Sequence, residues 1–172
     1  MSALTFRDAG PDDAEALAEL GRRTFAETFG HLYTPENLAA FLVKHSVENW
    51  RSELGDPGFA VRLGEAEGKA AAYAKVGPPS LPFEPNGSPA ELRQLYILQP
   101  WQGSGAARAL MDWVLDEARR RRADEIYLSV FVDNARARRF YERYGFEYVG
   151  KYHFMVGTHA DDDLIMRLRL DS

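Results

Sequence analysis

The feature of this sequence that most restricts its fold is a strand that passes through a two-glycine turn into a helix. The residues from Glu91 to Leu98 predict a strand, and the apolar spacing from Ser104 to Arg122 predicts a helix. Between them lie Gly103 and Gly105, where the absence of side chains lets backbone N–H groups approach a ligand closely. The start of a helix adds free N–H groups and a positive dipole end, which suit a pyrophosphate. A helix-start turn without a ligand is an equally open interpretation of this segment alone.

Two common nucleotide-binding motifs do not fit this turn. A Walker-type loop needs a lysine followed by serine or threonine, and the turn has no lysine. A dinucleotide-binding turn needs a small residue at the position of Arg108 and an acid at the end of the next strand, where this chain has Phe131 and Val132. Both motifs are therefore excluded.

The order of the predicted elements indicates a mixed α/β domain around one central sheet. The loop Gly77–Pro89 holds five of the nine prolines, so we expect it to be neither strand nor helix. The other predicted elements are a strand at 4–7, helices that begin near 11, 34 and 46, a hairpin at 59–63 and 70–76, strands at 91–98 and 125–131, helices at 104–122 and 133–144, and strands at 146–152 and 164–170.

Composition and charge exclude several functional classes. The 172 residues suit one domain over 1–172, and the absence of cysteine excludes disulfides, thiolate metal sites and a cysteine nucleophile. The four histidines form no helical His-x-x-x-His pair, so we expect no metal. A net charge of -5 disfavours nucleic acid, and no apolar stretch approaches the roughly 20 residues of a membrane span. Because the N-terminus shows no basic-then-apolar leader, we expect a cytoplasmic protein.

A second motif, from Asn134 to Phe146, links the turn to a known family. It reads Asn-x-x-Ala-x-x-Phe-Tyr-x-x-x-Gly-Phe, and the turn from Gln102 to Ala107 reads Gln-Gly-Ser-Gly-Ala-Ala. Separated by one helix and one strand, the pair resembles the two signature motifs of the GNAT superfamily of N-acetyltransferases. The resemblance implies a single N-acetyltransferase domain whose central mixed sheet of about seven strands is flanked by helices and splayed between its fourth and fifth strands.

Further residues resemble the PaiA-type polyamine acetyltransferases, namely Thr24–Phe29, Pro35–Asn37, Gly150, His153–Phe154, Gly157 and Asp163–Met166. The implied reaction is direct transfer of an acetyl group from acetyl-CoA to a primary amine, with a small polyamine-like acceptor. The alternatives are acetylation of a protein N-terminus or another small amine, and a CoA-binding regulator without turnover. Family habit implies a homodimer, and the proline-rich loop could serve as an acceptor lid or a subunit contact.

The same resemblance implies which residues bind acetyl-CoA. The backbone of the turn holds the pyrophosphate, and the preceding strand pairs with the pantetheine arm and offers an N–H near Ile97 to the oxyanion. Asn134 hydrogen-bonds the pantetheine, although asparagine is also a favoured N-cap of the helix that follows. The implied cofactor-binding residues are Leu95, Tyr96, Ile97, Gln102, Gly103, Ser104, Gly105, Ala106, Ala107, Arg108 and Asn134.

The resemblance also implies two catalytic residues. Tyr141 is the acid that returns a proton to the CoA thiolate, since a phenol with a pKa of about 10 can donate to it. Its place on an apolar helical stripe is equally typical of a core aromatic residue. Glu91 is the candidate base for the amine, and its other interpretation is a solvated acid at a strand start. Glu27 and Tyr33 are further candidates for the base.

Overall fold

The structure is a computed structural model that describes residues 3–82 and 87–170, with only the backbone of Lys44. The described strands are β1 (Thr5–Asp8), β2 (Ala60–Ala66), β3 (Lys69–Gly77), β4 (Pro89–Ile97), β5 (Glu125–Phe131), β6 (Glu147–Val156) and β7 (His159–Arg169). The described α-helices are α1 (Ala14–Phe29), α2 (Pro35–Leu42), α3 (Val47–Leu54), α4 (Ala106–Arg120) and α5 (Ala135–Arg143).

One sheet of seven strands, in the order β1-β2-β3-β4-β5-β7-β6, organises the fold. All neighbouring strands are antiparallel except β4 and β5, which are parallel. Their pairing extends only from Pro89 with Glu125 to Glu91 with Tyr127. Beyond that point β4 continues to Ile97 with no described strand on its β5 side, so the sheet splays open. The predicted mixed sheet, splayed between its fourth and fifth strands, is confirmed.

Helices cover both faces of the sheet, and each face buries an apolar cluster. Ala72 and Ala74 of β3 pack in a cluster with buried side chains of α4. Tyr73, the residue between them, packs instead in a cluster with α1 and α3. Successive side chains of a strand point to opposite faces, so α4 lies on one face of the sheet and α1 and α3 lie on the other.

Two element boundaries around the glycine turn differ from prediction. The α4 helix begins at Ala106 rather than at Ser104, because Gly105 adopts a left-handed conformation with a φ angle of +91° that a right-handed helix does not contain. The β4 strand begins at Pro89, which we had expected in the loop. A proline is tolerated as the first residue of a strand, where its missing N–H costs no ladder bond.

The β6–β7 hairpin is longer than predicted. The β6 strand extends to Val156, and β7 begins at His159 rather than at Leu164. The extra part of β7 contains the run Asp161–Asp163, and aspartate is depleted in strands, so a sequence pattern does not indicate it. Pairing with β6, where Phe154 lies opposite Asp161, imposes the extended conformation.

The described residues bear on the expectations about the proline-rich loop, membrane spans and metal sites only in part. Residues 83–86 of the proline-rich loop lie outside the described residues, so its role as a lid or a subunit contact stays a prediction. No described helix combines the length and apolar character needed to cross a membrane. Within the same residues, no group of three or more His, Cys, Asp or Glu side chains is arranged to hold a metal ion.

Candidate active site

The splay between β4 and β5 opens into a cleft with a volume of about 490 Å³. One wall is the free edge of β4 from Leu92 to Ile97, and the opposite wall is β5 from Leu128 to Phe131. We call the part lined by Gly103, Gly105 and Arg108 the turn end, and the part lined by Asp161 and Asp163 the carboxylate end.

The turn end exposes backbone N–H groups. Gly103 and Gly105 have φ angles of +81° and +91°, which other residues rarely adopt. An added Cβ at Gly105 would meet no protein atom within 4 Å, so this position faces open space. The N–H of Ala109 donates to the Gly105 carbonyl at 3.1 Å and makes the first bond of the helix. The N–H groups before it, in the range 106–108, have no acceptor within the helix and are available to an anion.

Cationic side chains surround the same turn. Arg108, Arg136 and Arg143 all line this end of the cleft. Arg136 reaches over the turn, where its Nη1 donates to Oε1 of Gln102 at 3.2 Å and its Nη2 would lie 3.8 Å from a Cβ at Gly103. These guanidinium groups and the positive end of the α4 dipole favour a phosphate-bearing ligand.

The free edge of β4 directs backbone groups into the cleft. Leu98 donates its N–H to the carbonyl of Ala71 in β3 at 2.9 Å, and an antiparallel ladder alternates bonded and non-bonded pairs. The N–H and C=O groups of Leu95 and Ile97 therefore point away from β3 and into the splay. Gln102 uses this arrangement, because its Nε2 donates to the Ile97 carbonyl at 3.1 Å.

Most of the predicted cofactor-binding residues come together on the cleft. Those that line it are Leu95, Tyr96, Ile97, Gln102, Gly103, Gly105, Ala107, Arg108 and Asn134. Ser104 and Ala106 do not. The Ser104 hydroxyl donates to the carbonyl of Trp101, and the Ala106 side chain is buried beneath the helix start.

Two motif residues at α5 also line the cleft. Asn134 caps the helix, since its Oδ1 accepts the N–H of Ala137 at 3.2 Å. The Tyr141 ring packs against Phe140 and Phe146, with centroids 5.5 Å and 5.7 Å away. Burial raises the pKa of the Tyr141 phenol to about 12, so it is protonated at neutral pH. The N-cap and the core packing are thus observed, and both residues remain in reach of a ligand in the cleft.

The carboxylate end contains two aspartates to which the sequence reasoning assigned no role. Asp161 and Asp163 occupy alternate positions of β7 and are only 6% and 7% exposed. The Tyr33 hydroxyl donates to Oδ2 of Asp161, and Nε2 of His159 lies 3.0 Å from its Oδ1. Asp163 lies opposite Phe131 of β5. The sequence signal for this pair was the spacing of two aspartates by one residue, which places both on one face of a strand. That spacing could be used only once the structure showed that β7 begins at His159.

Burial controls the ionisation of this end. Burial, reinforced by the charge of Asp161, raises the pKa of Asp163 from 3.8 to about 7. Burial, and then the hydrogen bond to Asp161, raise the pKa of Tyr33 well above its usual range. Burial likewise raises the pKa of Tyr96, with smaller effects from Tyr141 and Asp163. A carboxyl group that titrates near neutral pH therefore lies among protonated phenols beside the free edge of β4.

Glu91 does not lie on the cleft with Tyr141. Its carboxylate accepts the N–H and the hydroxyl of Ser80, both at 2.8 Å, and the N–H of Leu81 at 3.1 Å. It also pairs with Arg93 at 3.0 Å and is only 4% exposed, so it is not the solvated acid of the alternative interpretation. Its observed contacts anchor the described part of the proline-rich loop to β4.

Of the two further candidates for the base, Tyr33 lines the cleft and Glu27 does not. Glu27 accepts the N–H of Gln99 at 3.2 Å and lies 3.5 Å from Arg23. These contacts tie α1 to the segment that leads into the glycine turn. Glu27 therefore supports the turn from outside the cleft.

Several known proteins are similar to this chain in sequence and in fold. The model of the acetyltransferase (GNAT) family matches residues 15–146. A Mycobacterium tuberculosis protein named as an uncharacterized N-acetyltransferase is 33% identical over 155 residues, which cover 90% of this chain and 96% of the relative. The L-amino acid N-acetyltransferase AaaT of Escherichia coli is 26% identical over 175 residues, covering 98% of this chain and 100% of the relative.

A solved structure shows the same architecture with CoA. The PaiA N-acetyltransferase from Thermoplasma acidophilum in complex with coenzyme A has a TM-score of 0.77 and covers 98% of this chain and 99% of its own. At 18% identity, this likeness shows the fold alone. Family membership follows from the family model and the mycobacterial relative: the chain belongs to the GNAT family of acetyltransferases and is an acetyl-CoA-dependent N-acetyltransferase.

Proposed function

We propose that this enzyme transfers the acetyl group of acetyl-CoA directly to a primary amine of a small cationic molecule of the polyamine type. The observation that carries the proposal is the pair of buried aspartates, Asp161 and Asp163, at the end of the cleft opposite the turn. A buried carboxylate is costly unless a cation or hydrogen bonds compensate it. These residues therefore favour an acceptor that carries positive charge.

Acceptors with their own carboxylate fit this end less well. Its described lining includes Phe25, Phe29, Tyr33, Phe131, Phe154, Asp161 and Asp163. Of the arginines on the cleft, three lie at the turn end, and the fourth, Arg93, is paired with Glu91 at 3.0 Å. A free amino acid would place its carboxylate against the two aspartates, and like charges at an interface are unfavourable. The amino-acid acceptor in the name of the E. coli relative is thus disfavoured for this chain. A protein N-terminus carries no such carboxylate and is the second candidate.

The turn end accounts for binding of the acetyl donor in this proposal. The free N–H groups at 106–108 and the nearby Arg136 would hold the CoA phosphates. The outward-facing N–H and C=O groups of Leu95 would bind the pantetheine arm as an added strand, which leaves the Ile97 N–H for the acetyl group. The Asn134 amide, whose oxygen caps α5, keeps its NH2 group for the same arm.

The chemistry then divides among groups along the cleft. The neutral amine nitrogen attacks the thioester carbonyl carbon, so a C–N bond forms and the carbonyl oxygen becomes an oxyanion, which the Ile97 N–H stabilises. Collapse of this intermediate breaks the C–S bond. The Tyr141 hydroxyl gives its proton to the leaving thiolate, since burial both keeps the phenol protonated and disfavours a free thiolate beside it. The attacking nitrogen gives one proton through water to the Tyr141 phenolate, which leaves an amide and CoA thiol and restores the phenol.

The test is thiol release from acetyl-CoA with three acceptors: spermidine, a free L-amino acid, and a peptide whose only amine is its N-terminus. We expect spermidine to have the highest kcat/KM, by about tenfold or more. A higher value for either other acceptor refutes the polyamine-type assignment. If CoA binds and no amine releases thiol above hydrolysis, the chain is a CoA-binding regulator instead.

A further inference from the structure

We propose that Asp163 is the general base that takes the proton of the acceptor amine, an inference that rests on the proposed function. Glu91, the base expected from sequence, is bound to Ser80 and Leu81 away from the cleft. Asp163 lines the cleft, on the β7 strand beside the splay. It therefore lies where an amine approaching the free edge of β4 would pass.

The two aspartates differ in their partners, and this difference separates their roles. Both oxygens of Asp161 are engaged, Oδ2 by the Tyr33 hydroxyl and Oδ1 by His159. The Ser129 hydroxyl of β5, which also lines the cleft, is near enough to Asp163 to favour its ionised form as a hydrogen-bond donor. A carboxylate has about four acceptor positions, so one such bond leaves Asp163 with capacity for a substrate N–H. Asp161 is therefore a positioning anion, and Asp163 is the group free to take a proton.

The surroundings of Asp163 contain acids and phenols. The titratable groups within electrostatic reach of Asp163, or paired with it in register, are Asp161, Asp162, Tyr33, Tyr96 and Tyr152, and Asp162 among them points away from the cleft. Arg93 of β4 also lines the cleft, and its guanidinium is paired with Glu91 at 3.0 Å. The Tyr96 phenol lies within electrostatic reach of both Asp163 and Tyr141, so the acid and the base flank the same stretch of β4.

The ionisation of Asp163 suits this task. Burial and the Asp161 charge raise its pKa to about 7, which is the range in which a base is half ionised at neutral pH and strong enough to act. An alkylammonium with a pKa of about 10 gives one proton to the Asp163 carboxylate. The nitrogen lone pair then forms the C–N bond, and the carboxylic acid returns its proton to water after the amide leaves.

The experiment is the pH profile of kcat/KM for spermidine in wild type and in Asp163→Asn, with Asp162→Asn as the matched control. Asp162 is the neighbouring aspartate, its side chain is 78% exposed, and it does not line the cleft. Wild type and Asp162→Asn should rise through an inflection at about pH 7, because the base must be ionised. Asp163→Asn should lose about 100-fold at neutral pH and lack that inflection. An unchanged profile in Asp163→Asn refutes the proposal.

A second acceptor separates loss of the base from misfolding. A diamine analogue whose terminal amine is an alkoxyamine is already neutral at this pH, so it needs no base. With it, the loss in Asp163→Asn should shrink to less than about tenfold. An equal loss with both acceptors, or a changed affinity for acetyl-CoA, would show a structural role for Asp163 and refute the proposal. If wild type itself releases no thiol with any amine, the proposed function fails rather than the assignment of the base.

Discussion

Replacing Asp163 with asparagine should change how the stability of the enzyme depends on pH, whatever its acceptor. The side chain is 7% exposed, and burial raises its pKa from 3.8 to about 7 in the folded chain. Between these values the folded chain holds a proton that the unfolded chain has released, so stability falls as pH rises. Each pH unit in this window costs about 1.4 kcal/mol. From about pH 5 to about pH 8, wild type should lose about 3 kcal/mol through this group.

Asparagine has nearly the same size and does not ionise, so the variant escapes this loss. Urea denaturation at about pH 5 and about pH 8 gives the free energy of unfolding of both proteins. Relative to wild type, Asp163→Asn should be about 3 kcal/mol more stable at the upper pH than at the lower one. Asp162→Asn, which removes the exposed neighbouring charge, should show a much smaller difference, because that charge is the smallest cause of the raised pKa of Asp163. If Asp163→Asn differs from wild type equally at both pH values, the carboxyl group titrates normally and the reasoning is refuted.

Three further substitutions test the other parts of the site. Tyr141→Phe should lower kcat by about 100-fold and leave the Kd for acetyl-CoA unchanged, because only the proton donor is lost. Thiol release measured by stopped flow gives kcat, and calorimetry gives the Kd. Gly105→Val should raise the Kd for CoA by about tenfold or more, because its side chain fills the open space above the free N–H groups and its φ angle of +91° strains a β-branched residue. Glu91→Gln should lower the free energy of unfolding by about 2 kcal/mol, because the charged acceptor of the Ser80 and Leu81 donors is lost, and should change kcat/KM by less than about tenfold.

Each of these substitutions has a control or a contradicting outcome. Tyr148→Phe removes a hydroxyl on β6 that accepts from Nε of Arg138 at 2.9 Å outside the cleft, and it should keep full turnover. Gly68→Val introduces the same strain at a φ of +77°, with no protein atom within 4 Å of the new Cβ, in the β2–β3 turn outside the cleft. If it weakens CoA binding as much as Gly105→Val does, strain alone explains the effect. Equal kcat in Tyr141→Phe removes that residue from the mechanism, and a loss of about 100-fold in Glu91→Gln would restore Glu91 as the base.

The turn end was predictable because its conformation depends on neighbouring residues. Glycine allows positive φ angles in any context, as at Gly103 and Gly105, and the apolar stripe of α4 specifies which face of that helix packs on the sheet. The N-cap at Asn134 follows from the same local preference. The splay itself came from the family resemblance, since no local pattern indicates that parallel pairing stops at Glu91.

The carboxylate end and the position of Glu91 were not predictable in this way. Glu91 lies away from the cleft because a loop folds back from Ser80 to occupy its carboxylate. In the sequence, Asp161 and Asp163 belong to a polar run that does not indicate a strand. In the structure, pairing with β6 makes them part of β7. The cleft that they line is completed by side chains from α1, β4 and β5 that are distant in sequence.

By itself, then, the sequence determined the family, the order of strands and helices, and a turn able to bind phosphate, because each depends on residues within one motif or one helical period. The tertiary structure alone decided which carboxylates reach the cleft. That choice depends on the register of the β6–β7 hairpin and on contacts such as the one from Tyr33 to Asp161, which lie 128 residues apart in the chain. Burial at such a meeting point, and not the residue type, moves the pKa of Asp163 to about 7 and makes it a candidate base.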